Sequence, residues 1–347
     1  MKRYLRIIAL AALMALLTAC GTNSENPEQE TEEIQMSQYT LSNPNATETT
    51  RKVYDYICTL GTTGTLSAQQ ESTWMGSVDY EMDYLLEATG KLPAMRGLDY
   101  MHDDFSGVNE RAIKWWSEGG LVTICWHTGA DFSGEWKHAL ETAVEDWDAV
   151  FTDGTHENIE FLKGMDKAAE ALLELQEAGV TVLWRPFHEF DGKWFWWGKD
   201  GSDTFVKLWR MMYDRYVNHW GLHNLIWVLG FSDATADLAP WDSGDEYVDI
   251  LGGDSYKGGA QGGLYAQCAA IAPEGMPICY HENGEIPTRA QMEEEKAPWV
   301  WFMTWHTSWI VNNDKNPQEK LHEVFHDPYF INLNAVPNLI EEKRTDA

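Results

Sequence analysis

Eight short apolar or β-rich runs, most of them followed by a helical pattern, constrain the fold of this 347-residue chain. The runs are 64–69, 92–99, 121–127, 180–189, 225–231, 248–256, 277–282 and 299–306. Segments 166–178 and 202–220 keep a helical spacing of apolar residues, and a glycine follows each segment directly. Eight alternating strands and helices predict a (β/α)8 barrel in a single domain. An open doubly wound sheet also alternates, but no Gly-rich phosphate turn follows the first run.

Residues 1–20 have the features of a lipoprotein signal peptide. The apolar run 7–17 is about eleven residues long, which is too short to span a bilayer as a helix. A basic segment precedes it, made of Lys2, Arg3 and Arg6. Leu17, Thr18 and Ala19 before Cys20 resemble the bacterial lipobox, in which the peptide is cut before the cysteine and its thiol carries a lipid. The alternative is an ordinary cleaved signal peptide that happens to end in cysteine.

The segment 21–48 is acidic and polar, so it is expected to be a disordered tether ahead of a catalytic domain at 49–345. Removal of the three basic residues of the signal peptide takes the formal net charge from −30 to −33. A shell this acidic repels phosphate backbones, and we therefore expect no nucleic-acid partner. The expected location is outside the cytoplasm, with the chain anchored to a bacterial membrane through Cys20 on the periplasmic or the cell-surface side.

The remaining cysteines follow no metal-binding spacing. They are Cys58, Cys125, Cys268 and Cys279, and none forms a CxxC pair. An exported chain could pair two of them, but Cys125 and Cys279 lie inside apolar strand-like runs and are equally compatible with buried thiols.

Two glutamates end the fourth and seventh runs. Glu189 closes the fourth run and Glu282 closes the seventh. In a (β/α)8 barrel the active site lies at the carboxyl ends of the strands, where these two side chains can converge across the barrel. A retaining glycosidase needs two carboxyl groups roughly 5 to 5.5 Å apart, one protonated and one ionised. The charge of one carboxylate raises the pKa of the other and helps to keep it protonated.

The sequence around Glu189 resembles glycoside hydrolase family 26, most of whose characterised members are endo-β-1,4-mannanases. The resemblance rests on the segment 184–198, which reads WRPFHEFDGKWFWWG. Shorter matches extend it over about residues 50–335: GLHNLIWV at 221–228, DSY at 254–256, ENGEIP at 282–287, and Trp305. The resemblance implies hydrolysis of β-1,4 bonds in mannan, glucomannan or galactomannan. We expect this reaction to need no cofactor and the protein to be a monomer.

The resemblance also implies a role for each residue. Glu189 would be the acid/base and Glu282 the nucleophile. His188 and Tyr256 would orient Glu282 by hydrogen bonds. Independently of the resemblance, Arg185 is expected to support a catalytic carboxylate by a charge-assisted hydrogen bond. The implied sugar contacts are His127, Trp194 and Trp305. Asp99 and Asp254, which also end strands, are weaker candidates.

One segment departs from the family pattern. Family members usually continue the Trp126-His127 pair toward an Asn-Pro loop, but residues 128–134 here read TGADFSG. This places the neighbouring sugar site in question, and with it the endo or exo mode. Among the 18 tryptophans, Trp194, Trp196 and Trp197 are expected in a loop at the barrel mouth, where rings stack on sugar C–H faces.

The same residues are compatible with further structural and functional roles. Glu189 could pair with Arg185 as a purely structural ion pair, and Glu285 is the nearest competitor of Glu282. The two His-Glu pairs, 188–189 and 281–282, could in principle bind a metal, although no His-x-His pair lies in the first run. The chain could also be a related β-glycanase acting on xylan or mixed-linkage glucan, or a non-catalytic glycan-binding lipoprotein.

Overall fold

Parallel strands form a closed barrel in the computed structural model, which describes residues 39–339. The strands are β1 (Thr65–Gln70), β2 (Met95–Asp99), β3 (Leu121–Cys125), β4 (Val182–Arg185), β5 (Leu225–Ser232), β6 (Ile250–Ser255), β7 (Ile278–Asn283), β8 (Trp301–Thr304) and the short β9 (Phe330–Ile331). Each of β1 to β8 pairs with the next, and β8 pairs with β1 to close the ring. Strand β9 adds only to the start of β1. The predicted (β/α)8 barrel is confirmed, because every predicted run overlaps one barrel strand.

The barrel strands are buried on both faces, which explains why they read as apolar runs and not as alternating ones. All eight residues of β5 and all six of β7 are buried. One face of each strand fills the barrel interior and the other packs against the surrounding helices. Strand β7 nevertheless contains His281 and Glu282, whose burial requires polar partners inside the barrel.

Helices surround the barrel. They are α1 (Glu48–Cys58), α2 (Tyr80–Thr89), α3 (Phe105–Ser117), α4 (Trp136–Glu141), α5 (Trp147–Val150), α6 (His156–Glu177), α7 (Trp196–Lys199), α8 (Ser202–Tyr213), α9 (Gly262–Ile271), α10 (Arg289–Glu295) and α11 (Gln318–His326). The predicted segment 166–178 forms the second half of α6, whose N-cap Thr155 accepts a hydrogen bond from Asn158 N. The predicted segment 202–220 comprises α8 and a π-helical turn, Asp214–His219. No helix between residues 39 and 339 is long and apolar enough to cross a membrane.

The segment 39–47 is packed against the amino ends of β5 and β6, opposite the carboxyl ends of the strands. Ser42 N donates to Asp249 Oδ1 at 2.6 Å, and Asn43 Nδ2 donates to the carbonyl of Leu222 at 3.2 Å. Asn43 is fully buried. The packed part of the chain therefore begins before residue 49, inside the segment 21–48 that is expected to be a tether. The expected signal peptide, including Cys20, lies outside the described residues.

None of the four cysteines between residues 39 and 339 forms a disulfide bond. Cys125, Cys268 and Cys279 are buried, and burial raises the pKa of each thiol. Protonated, buried thiols pack as small apolar groups, in agreement with the interpretation of Cys125 and Cys279 as core residues.

The packing of segment 39–47 predicts that Asn43→Ala destabilises the domain by about 1–3 kcal/mol, because a buried carbonyl loses its donor. The exposed Asn45, whose hydrogen bond to Asn43 Oδ1 comes from its backbone N–H, provides the control Asn45→Ala. Urea unfolding followed by tryptophan fluorescence measures both. Equal stability of the Asn43→Ala variant and the wild type would show that this segment does not contribute to the folded domain.

Candidate active site

A cleft of about 980 Å³ opens at the carboxyl ends of the strands. It is lined by the seven cleft residues expected from the sequence: His127, His188, Glu189, Trp194, Tyr256, Glu282 and Trp305. A concave, partly aromatic site with converging polar groups is typical of a binding site for a small molecule or a polymer segment.

Glu189 and Glu282 face each other in this cleft. Glu282 lies within β7 and is 3% exposed, whereas Glu189 follows β4 in the left-handed region with φ of 53°. The backbone N–H of Glu189 donates to Gly230 O at 2.8 Å, which fixes the residue beside β5. Carboxylate oxygens of Glu189, Asp254 and Glu282, one from each, lie within 4.8 Å of one another. This proximity agrees with the spacing of roughly 5 to 5.5 Å that direct attack by a carboxylate requires.

Arg185 joins two acids in the barrel interior. Its guanidinium donates to Glu282 Oε1 at 3.1 Å and to Asp254 Oδ2, and Asp254 Oδ1 accepts from Glu282 N at 3.0 Å. Burial lowers the pKa of Arg185, but the charges of Asp254 and then Glu282 outweigh it and raise that pKa. A Cβ on Gly230 would lie 2.7 Å from Arg185 Nε, so glycine is needed there to leave room for the guanidinium. Arg185 therefore holds the Glu282 carboxylate in one direction, and Asp254 contacts both Arg185 and Glu282.

Tyr256 also contacts Glu282, but His188 does not form the expected hydrogen bond. Tyr256 Oη donates to Glu282 Oε2 at 3.1 Å. His188 Nε2 lies 3.8 Å from Glu282 Oε1, which is too long for a hydrogen bond. Arg185 donates a hydrogen bond to that oxygen. Burial, and then the charge of Arg185, lower the pKa of His188 well below its usual range, so a neutral imidazole lies beside the acids.

The environment of Glu189 favours its protonated form. Burial raises the pKa of this carboxyl well above its usual range, and the charges of Glu282 and Asp254 raise it further. Arg185 and a 3.0 Å hydrogen bond from Trp194 Nε1 act in the opposite direction. A carboxyl group with a raised pKa can donate a proton near neutral pH. The two glutamates therefore have different environments: one is held by cation and phenol contacts, and the other is disposed to carry a proton.

Asp99 orients His127 at the next part of the cleft. His127 Nδ1 lies 2.5 Å from Asp99 Oδ2, and His127 N donates to Asp99 Oδ1 at 3.0 Å. Burial raises the pKa of Asp99, but the contacts with His127 outweigh it and lower that pKa. The other ring nitrogen of His127 is left free of Asp99. The ring lies 4.6 Å from that of His188 and 6.1 Å from that of Trp305. Asp99 is thus a positioning residue that acts through His127. Its place at the end of a strand did not reveal this role in the sequence.

The three tryptophans expected in a loop at the mouth divide into two groups. Trp194 is 36% exposed and lines the cleft. Trp196 and Trp197 begin α7 and are buried, so their predicted place in a mouth loop is wrong. Trp196 Nε1 donates to Thr128 O and Trp197 Nε1 to His188 O, both at 2.8 Å. These two rings support the loops that carry His127 and His188.

Two groups of three side chains among residues 39–339 have donor atoms close enough for a metal ion, but neither is a suitable donor set. In the group Glu189, Asp254 and Glu282, the guanidinium of Arg185 already bridges the last two. The other group, Asp99, Cys125 and His127, includes a thiol whose pKa is raised by burial. His281, from the second His-Glu pair, lies 3.0 Å from Thr123 Oγ1 inside the barrel. The two pairs therefore do not form one metal site.

Comparisons with a family model, with curated relatives and with solved structures all indicate the same protein family. A model of glycosyl hydrolase family 26 matches residues 42–335. A mannan endo-1,4-β-mannosidase of Thermothelomyces thermophilus is 33% identical over 85% of this chain and 63% of its own length. The crystal structure of a ruminal endo-β-1,4-mannanase superposes with a TM-score of 0.79 at 29% identity, covering 90% of this chain and 73% of that one. A β-mannanase from a symbiotic protist of the termite Reticulitermes speratus, solved with a gluco-manno-oligosaccharide, gives 0.76 at 28% identity over 86% and 98%.

The chain spans only part of the curated relatives that it matches. It covers 63%, 54% and 51% of three of them. The shared part is the barrel and its cleft, because the family match at 42–335 contains every strand from β1 to β9.

The charge of Glu282 is expected to set the titration of Glu189. Glu282→Gln removes a neighbouring negative charge and should lower the pKa of Glu189, because the ionised form becomes easier to produce. Carbon-13 NMR of the glutamate carboxyl groups, with Glu189→Gln to assign the resonance, measures this pKa. The control Glu285→Gln should leave it unchanged, since Glu285 pairs with Lys320 at 2.6 Å. An equal pKa in Glu282→Gln and the wild type would contradict the coupling.

Proposed function

The chain belongs to glycosyl hydrolase family 26, and from this premise we propose that it hydrolyses β-1,4-mannosidic bonds with retention of configuration. The substrates are mannan, glucomannan or galactomannan. The observation that carries the proposal is the pair Glu189 and Glu282, which lie close together: the guanidinium of Arg185 donates to Glu282, and the surroundings of Glu189 raise the pKa of its carboxyl. The names of the relatives, mannan endo-1,4-β-mannosidases, support the same substrate class.

In the first step, the carboxylate of Glu282 attacks the anomeric carbon while Glu189 donates its proton to the glycosidic oxygen. The C–O bond to the leaving chain breaks, an ester forms between the sugar and Glu282, and the leaving chain departs with a hydroxyl group. Arg185 and Tyr256 hold the two oxygens of Glu282 in a fixed direction. Once the proton has left, Trp194 stabilises the Glu189 carboxylate by its hydrogen bond.

In the second step, Glu189 acts as a base. It removes a proton from a water molecule, whose oxygen attacks the anomeric carbon and breaks the ester bond to Glu282. Glu282 leaves as a carboxylate and Glu189 is protonated again, so both side chains return to their starting states. Two inversions at the same carbon give net retention.

The remaining cleft residues bind the sugar. The exposed ring of Trp194 and the partly buried ring of Trp305 offer apolar faces for the C–H side of a pyranose. His127, held by Asp99, presents its second ring nitrogen to a hydroxyl group. His188 packs edge-on against His127 and, as a neutral ring, adds no charge beside the nucleophile.

Glu189→Gln and Glu282→Gln should each reduce the release of reducing sugar from mannan by about 10²-fold or more, because general acid/base and nucleophilic groups contribute effects of that size. With an aryl β-mannoside whose leaving group needs no proton, Glu189→Gln should still form the ester, whereas Glu282→Gln should not. The matched control Glu285→Gln should retain wild-type turnover. Proton NMR of the first product should show the β-anomer.

Other outcomes would overturn parts of this proposal. Near-wild-type mannan hydrolysis by either glutamine variant removes the catalytic assignment. An α-anomer as first product contradicts the double displacement. Cleavage of xylan or mixed-linkage glucan in preference to mannan, measured side by side, assigns the chain to a related β-glycanase with the same mechanism.

We also propose that the protein is exported and anchored to the bacterial membrane by a lipid on Cys20, and that it acts as a monomer. The lipobox-like LTAC sequence at 17–20 after a basic and apolar segment supports the anchor. The acidic segment after Cys20 would hold the barrel away from an anionic membrane surface.

Expression of the full chain in a bacterial host tests the anchor. The wild type should incorporate radiolabelled palmitate and sediment with membranes, and Cys20→Ala should do neither. The control Cys58→Ala should behave as the wild type. Release of unlabelled wild-type protein into the soluble fraction would show that the segment is an ordinary cleaved signal peptide.

A further inference from the structure

The loop after β8 reaches from the cleft to a residue that holds the nucleophile. Its first residues, Trp305 and His306, line the cleft, but Trp309, at the end of a short 3₁₀ turn, does not. The ring of Trp309 packs instead against that of Tyr256, with ring centroids 4.6 Å apart and an interplanar angle of 48°. Tyr256 Oη in turn donates to Glu282 Oε2 at 3.1 Å. Trp309 is therefore one side chain removed from the nucleophile.

Tyr256 is fixed at its ring and at its backbone. A Cβ at Gly284 would lie 2.8 Å from Trp309 Cε3 and 3.0 Å from Tyr256 Cδ1, so both rings pack closely against the bare backbone there. Gly284 comes two residues after Glu282, and the phenol is thereby fixed relative to the strand that carries the nucleophile. Lys315 Nζ, from the end of the same loop, donates to the carbonyl of Tyr256 at 3.1 Å.

The position of Trp309 is itself set by a buried amide. Asn316 is fully buried, and its Nδ2 donates to Trp309 O at 2.8 Å and to Gly284 O at 3.0 Å. Its Oδ1 accepts from Ile286 N at 2.8 Å. A buried amide whose groups are satisfied in this way fixes the segments that it joins. The loop after β8 and the segment after β7 therefore hold their relative positions.

The direction of the phenol matters because its hydrogen bond is made to a carboxylate. Burial, and then the charges of Glu282 and Glu189, raise the pKa of Tyr256 well above its usual range, so the phenol keeps its proton. A hydrogen bond to a carboxylate is roughly twice as strong as one between neutral groups, but it weakens steeply when the donor points away from the acceptor. Without a ring beside it, Tyr256 could turn to other rotamers, which carry Oη away from Glu282.

We propose that Trp309 is a positioning residue for the nucleophile and acts through Tyr256. Its ring keeps Tyr256 Oη directed at Glu282 Oε2, and the carboxylate is thereby aligned for attack on the anomeric carbon. The inference rests on the proposed mannanase function. Because Trp309 does not line the cleft, its loss should slow formation of the ester without weakening the binding of the sugar.

Single-turnover release of dinitrophenol from a dinitrophenyl β-mannobioside, with enzyme in excess, measures ester formation by itself. This leaving group needs no proton, so proton donation by Glu189 does not enter the rate. The dependence on enzyme concentration gives the rate constant at saturation and the Kd of the substrate. Trp309→Ala should lower the rate constant by about three- to tenfold, the size expected for one misaligned hydrogen bond, and leave Kd unchanged. Trp309→Phe keeps a ring and should restore most of the rate.

A double-mutant cycle with Tyr256→Phe separates positioning from a general structural effect. In that background Trp309→Ala should cause no further loss of rate, because no hydroxyl group remains to be aligned. An equal loss in both backgrounds overturns the inference, and so does a wild-type rate in Trp309→Ala or a raised Kd with an unchanged rate. If thermal melting shows that Trp309→Ala does not fold, Trp309→Leu, which fills more of the space, takes its place in the same cycle.

The neighbouring Ser308 provides the matched control. It is exposed in the same turn, and its carbonyl, which accepts from Asn313 Nδ2, is retained in Ser308→Ala. This variant should keep the wild-type rate constant and Kd, and a loss equal to that of Trp309→Ala would overturn the inference. A wild type that releases no dinitrophenol from the mannobioside overturns the proposed function instead.

Discussion

The buried guanidinium of Arg185 is the interaction on which the site depends. It pairs with both Asp254 and Glu282 in the barrel interior, where an unpaired carboxylate is strongly disfavoured. Removing one partner of such a cluster leaves an uncompensated charge and costs about 3–5 kcal/mol. The barrel accommodates the cation through Gly230, whose missing side chain leaves its space to the guanidinium. Arg185 thus stabilises the buried acids of the barrel interior and also holds Glu282 in the cleft.

The same cluster explains why two nearby glutamates differ. Glu282 has Arg185 and Tyr256 on its two oxygens, so its ionised form is compensated. Glu189 has one hydrogen bond, from Trp194, and faces the negative charges that Arg185 only partly balances. Its raised pKa follows from burial first and from those charges second. Identical side chains thereby have different surroundings, and those of Glu189 favour the protonated form that an acid catalyst needs.

The barrel, and the meeting of Glu189 and Glu282 at the carboxyl ends of its strands, could be predicted because both depend on local sequence. Fully buried parallel strands require apolar runs, and a specific motif surrounds Glu189. Features set by tertiary packing could not be predicted. Trp196 and Trp197 lie in the same motif as Trp194, but tertiary packing buries their rings in the core. His188 lies 3.8 Å from Glu282 Oε1, whereas Arg185 donates to that oxygen at 3.1 Å. The packing of segment 39–47 depends on Asp249, about 200 residues away.

The central claim is that Glu282 forms a covalent bond with the sugar. An activated 2-deoxy-2-fluoro-β-mannoside slows hydrolysis of that ester, and proteolysis with mass spectrometry locates the added sugar. The account predicts one sugar per chain, on the peptide containing Glu282 and on that side chain, with no label in Glu282→Gln. A sugar on Glu189 or Glu285, or turnover of mannan without any labelled intermediate, would contradict it.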